Sequence, residues 1–102
     1  MGIFDINIQN LFKLYKRGDI VKLYKQMYIL AEKITDIETK NFAETLKTTT
    51  KAEEYIGKQL NDEEFMKKIN SIIDYRNKRL DYHMSEMKKL LELKIKEDKE
   101  KE

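Results

Sequence analysis

The stretch NDEEFMKKINSIIDYRNKRLDYHMSEMKKLLELKI, Asn61–Ile95, decides the fold. Asn61 can cap a helix by accepting a hydrogen bond from a free first-turn N–H, and Glu64 stands where its carboxylate reaches back to the cap. Asp62, Glu63 and Glu64 also suit the positive end of a helix dipole. No Gly or Pro follows before the chain ends. Met66, Ile69, Ile73, Arg76, Leu80, His83, Met87 and Leu90 recur by threes and fours, an a/d seam that Phe65, Ile72, Met84 and Leu91 widen. A helix from Asp62 to Ile95 is about 50 Å long at 1.5 Å per residue. A small globule cannot cover such a stripe alone, so a second helix of similar length must lie against it.

Working back from this rod, helical periodicity fills the rest of the chain. Asp5 or Asn7 can start a first helix ending near Arg17, with Ile8, Leu11, Phe12 and Tyr15 inward. Gly18 suits the left-handed residue just past a helix end, and Asp19 the next cap. The second helix carries Ile20, Leu23, Tyr24, Met27, Leu30, Ala31, Ile34 and Ile37. Its phase slips near Glu38 and resumes as Phe42, Leu46, Thr49, Glu53, Ile56 and Leu60. We expect one long helix with a weak spot at residues 36–51, where Thr48, Thr49 and Thr50 lose rotamer freedom. Gly57 lies near its end. The short Gln59–Asn61 connection makes the two long helices antiparallel neighbours. The charged run from Lys94 onward predicts a fraying tail.

Composition agrees with an all-α reading. Pro and Trp are absent, and no Asn-Gly or Asp-Gly turn separates alternating strands. We therefore expect a short N-terminal helix plus a long antiparallel hairpin. That makes a coiled-coil-like bundle of three to four helices, completed by dimerisation. Residues 1–93 form the domain and 94–102 the tail. The absence of Cys excludes disulfides and thiolate metal sites. With a single His, neither a metal site nor a cofactor is expected. No apolar run approaches the ~18 residues of a membrane span, and no signal peptide is legible, so a cytoplasmic protein is expected. The lean toward Lys, Ile, Asn and Tyr is that of AT-rich genomes, shared by bacteria, phages, plasmids and archaeal viruses.

Three constellations bear on function. The first is Ile72-Ile73-Asp74-Tyr75-Arg76-Asn77-Lys78-Arg79-Leu80-Asp81-Tyr82-His83. It resembles the signature of HEPN domains, small dimeric helical modules of which many are ribonucleases. That signature is an Arg, usually followed by a polar residue, then a His after four to six intervening positions. Arg76, Asn77 and His83 match at the longest spacing, while the commoner spacing falls on Asp81. The resemblance covers about a dozen residues and implies a metal-independent ribonuclease. Its Arg would hold phosphate and its His move a proton during 2′-OH attack. The bland alternative is a seam Arg and His pairing with carboxylates across a helix interface.

The second is the basic, tyrosine-bearing run of Lys13, Lys16, Arg17, Lys22 and Lys25 with Tyr15, Tyr24 and Tyr28. It would meet nucleic-acid phosphates, though the net charge is only +2. The third is the seam itself. Phe65, Ile69, Ile72, Ile73, Leu80, Met84, Met87, Leu90 and Leu91 would form an interface for a second copy or a protein partner. On the residues alone, the leading expectation is a non-enzymatic helical interaction module of the accessory or inhibitor type. RNA becomes a partner only if the HEPN resemblance carries function.

Overall fold

A computed structural model describes residues 5–55 and 62–101, with backbone alone at 5–6 and 47–55. Three helices account for nearly all of them: α1 (Asp5–Lys16), α2 (Ile20–Tyr55) and α3 (Asp62–Glu100). The described residues contain no strand. The expected cap at Asn61, Gly57 and the Gln59–Asn61 connection lie outside them, as do the side chains of Thr49, Glu53, Ile56 and Leu60.

The α1–α2 corner follows from two residues. Gly18 takes a φ of 75°, which side chains with a Cβ resist. Its N–H then donates to the Tyr15 carbonyl at 3.0 Å and the Asp19 N–H to the Leu14 carbonyl at 3.1 Å. This pair of bonds is a Schellman closure of α1. Asp19 then accepts the Lys22 N–H at 3.3 Å on Oδ1 and caps α2. One residue thus closes one helix and opens the next.

The long helices run antiparallel, since only residues 56–61 separate them. Phe42 stacks on Tyr75 at 4.4 Å and 7°, while Ala31 shares a cluster with Met87 and Leu91. That cluster is the core. Ile8, Leu11 and Phe12 of α1 enter it, flanked by Leu23, Met27, Leu30 and Ile34 of α2 and by Leu80, Met84, Leu90 and Ile95 of α3. The molecule measures 68 × 26 × 15 Å, and α1, only 12 residues long, thickens one part of it. Past Ala31 on α2 and before Met87 on α3, no described apolar side chain is fully buried.

Several expectations change in detail. Leu14, not Tyr15, is buried on α1, because α1 packs on both long helices and needs a wider arc; Tyr15 lies outside against Phe12, ring centroids 6.0 Å apart. Ile20, Tyr24 and Ile37 of the expected α2 stripe are exposed. The backbone of α2 passes through residues 36–51 unbroken. Its inward line there is Thr35, Glu38, Phe42 and Leu46, so the slip is a polar layer rather than a break. The tail expected to fray from Lys94 continues α3 to Glu100. Ile95 packs on the core and Lys16 Nζ meets Asp98 Oδ2 at 3.3 Å.

A one-ended core predicts unequal mutational costs. Met87→Ala and Leu11→Ala should each lower unfolding free energy by roughly 2–5 kcal/mol. Ile73→Ala, on the uncovered part of α3, should cost the single chain at low concentration under about 1 kcal/mol. Urea denaturation followed by circular dichroism measures all three.

Candidate functional site: a charged layer between the long helices

Arg76, Arg79 and His83 follow one another at three and four residues, so α3 presents them on one side. They meet three carboxylates of α2, Glu32, Asp36 and Glu38. Arg76 Nη2 donates to Glu32 Oε2 at 3.2 Å, and its Nε to Asp36 Oδ1 at 3.3 Å. Glu38 bridges the other two: Oε2 accepts from Arg79 Nη2 at 2.7 Å, and Oε1 accepts from His83 Nε2. The Arg79 guanidinium also lies 4.6 Å from the centre of the Tyr82 ring.

Burial on its own would raise the Glu38 pKa. The hydrogen bonds from Arg79 and His83, with the charge of Arg79, outweigh it, so the carboxyl sits below its ordinary value. An ionised carboxylate only accepts hydrogen bonds, so His83 must carry its proton on Nε2. The Arg76 guanidinium also loses hydration on burial, but Asp36 and Glu32 more than offset that and hold it firmly charged.

The three residues of the HEPN-like signature are thus placed differently. Arg76 is half-buried and shared between two carboxylates, His83 is buried against Glu38, and Asn77 is exposed. Periodicity alone did not single out Arg79, Glu38 or Thr35. The signal was present in Glu38, the residue where the α2 stripe appeared to slip. Thr35 is fully buried, and its hydroxyl has no partner among the described residues.

Of the expected interface, Met87 and Leu91 belong to the chain's own core. Leu80, Met84 and Leu90 are half-buried against it, and Ile69 and Ile72 are half-buried away from it. Phe65 and Ile73 are exposed. In the basic run, Lys13, Arg17 and Lys22 line one groove between α1 and α2. Lys16 pairs with Asp98, and Lys25 is exposed outside that groove. No described helix is long and apolar enough to cross a membrane.

Compared with protein-family models, curated proteins and solved structures, the chain gives no match.

Two outcomes test the layer. Glu38→Ala removes the acceptor that Arg79 and His83 share and should cost roughly 1–3 kcal/mol in urea denaturation. Because the Glu38 pKa is depressed in the folded state, its contribution is complete above its ordinary value of 4.5 and disappears as pH falls through the folded value. The stability gap between wild type and Glu38→Gln should therefore narrow on acidification below that point. Thr35→Val removes a buried, unpartnered hydroxyl and should be neutral or stabilising by up to about 1 kcal/mol in thermal melts.

Proposed function

We propose that the chain is a non-enzymatic helical interaction module that associates with a second copy of itself and, through helix packing, with a protein partner. One observation carries this reading. Where α1 no longer covers the long helices, large apolar side chains stand in solvent: Ile37 at 64% exposure, Phe65 at 54%, Met66 at 50% and Ile73 at 49%. Phe65, Met66, Ile69 and Ile73 recur at helical spacing along the first half of α3. A pair of helices buries only the strip between them, and a further helix laid along this arm would cover what α1 leaves open. A two-fold pairing is the simplest closed arrangement, because the same face serves both partners.

The ribonuclease reading has less support. Arg76 would have to receive a phosphate beside Glu32 and Asp36, whose charges repel it, and His83 would have to exchange the Glu38 contact for a substrate hydroxyl. RNA cleavage by the wild-type protein that vanishes in both Arg76→Ala and His83→Ala, with helicity retained, would reverse this choice.

Static light scattering across a concentration series tests self-association. The mass should rise from 12.3 kDa toward twice that value. Phe65→Glu combined with Ile73→Glu should keep it at the lower figure without loss of helicity. A constant single-chain mass for the wild type at the highest concentration would sink the dimer.

A further inference from the structure

The groove between α1 and the start of α2 has a composition that fold stability does not explain. Asn7, Asn10, Lys13 and Arg17 form one wall at helical spacing, and Lys22 and Gln26 stand one turn apart on the other. Leu11, Leu14 and Leu30 complete the lining, and the cavity is about 290 Å³. Between residues 7 and 31 the only acidic side chain is Asp19, which caps the Lys22 N–H. Lys13, Arg17 and Lys22 make no salt bridge among the described residues, whereas neighbouring Lys16 is paired with Asp98.

Helix electrostatics account for only part of this. Lys13 lies in the last turn of α1, where cations are favoured. Lys22 lies in the first turn of α2, where they are disfavoured, and that turn holds no acidic residue. Three unneutralised cations thus converge at one end of a groove whose other end carries amides able to donate hydrogen bonds. The groove extends from Asn7 to Arg17, about 15 Å along α1 at 1.5 Å per residue. That length suits a chain of linked phosphates better than a single ion. Among the described residues no aromatic side chain lines it, and Tyr24 and Tyr28 stack on each other outside it at 6.4 Å. That lining suits phosphate better than a base.

We propose that this groove binds a linear oligophosphate anion, with Lys13, Arg17 and Lys22 neutralising its charge and Asn7, Asn10 and Gln26 donating to its outer oxygens. The groove is distinct from the apolar arm, so this site and self-association stand or fall separately.

Calorimetric titration of the full chain with sodium tripolyphosphate at low ionic strength is the test, with orthophosphate and a short oligothymidylate as parallel probes. Tripolyphosphate should bind one per chain and more tightly than orthophosphate. Lys13→Ala, Arg17→Ala and Lys22→Ala should each weaken it roughly threefold to fivefold, as exposed ion pairs do. The triple variant should abolish binding, and Lys25→Ala should leave it unchanged. Oligothymidylate that competes with tripolyphosphate would be held by its phosphates at the same site, which supports the proposal. No tripolyphosphate binding overturns it, as does equal weakening by Lys25→Ala. Oligothymidylate binding that tripolyphosphate cannot displace also overturns it, in favour of a nucleic-acid surface elsewhere.

Discussion

Leu11 and Phe12 of α1, gathered with Ala31, Met87 and Leu91 of the long helices, are what turns a helical pair into a domain. Two helices side by side share one strip of buried surface, and every other face meets water. A third helix at the seam converts that strip into a volume, and full burial becomes possible for side chains from all three. The placement of α1 depends in turn on the Gly18–Asp19 corner, which reverses the chain within a few residues. The core, the exposed arm and the basic groove all follow from where α1 lies and where it stops.

The next layer along is polar. Thr35 and Glu38 occupy inward positions of α2, and Arg79 and His83 answer from α3. Ion pairs this close to solvent add little net stability, because each charged group surrenders hydration to make them. Their effect is on alignment. Sliding α3 by one turn would leave Glu38 without its two donors and bring Arg76 away from Glu32 and Asp36. Apolar contacts between long helices tolerate such slippage far better. The charged layer therefore sets the register that the hydrophobic strip leaves loosely specified, while the Phe42–Tyr75 stack continues the pairing beyond it.

How much of this was legible in the chain depends on what periodicity can report. It identifies which residues share one face of one helix, so both long helices and their inward-facing lines near Met27, Ala31, Met87 and Leu91 could be read directly. Gly18 and Asp19 marked the corner because only certain residues serve there. Periodicity does not report what covers a face. Ile20, Ile37, Phe65 and Ile73 have the spacing of core residues and stand in solvent, because no described neighbour covers them. It also cannot recognise a polar residue off the heptad step as an inward one, so Glu38 looked like an interruption although Arg76 and His83, which keep the step, did not. The same blindness hid Arg79, whose partner lies 41 residues away. The charged tail looked unstable because its composition is polar, yet Ile95 and Asp98 tie it to the core and to α1.

The long, narrow outline of the chain has a consequence for how it behaves in motion. A 102-residue globule has a radius of gyration of about 13 Å by the usual size scaling. This chain has 19.3 Å, the value of a sphere of about 300 residues on the same scaling. A lone copy therefore rotates end over end more slowly than a compact particle of the same mass. Its friction reports shape before it reports stoichiometry, and end-over-end rotation dominates its slowest relaxation.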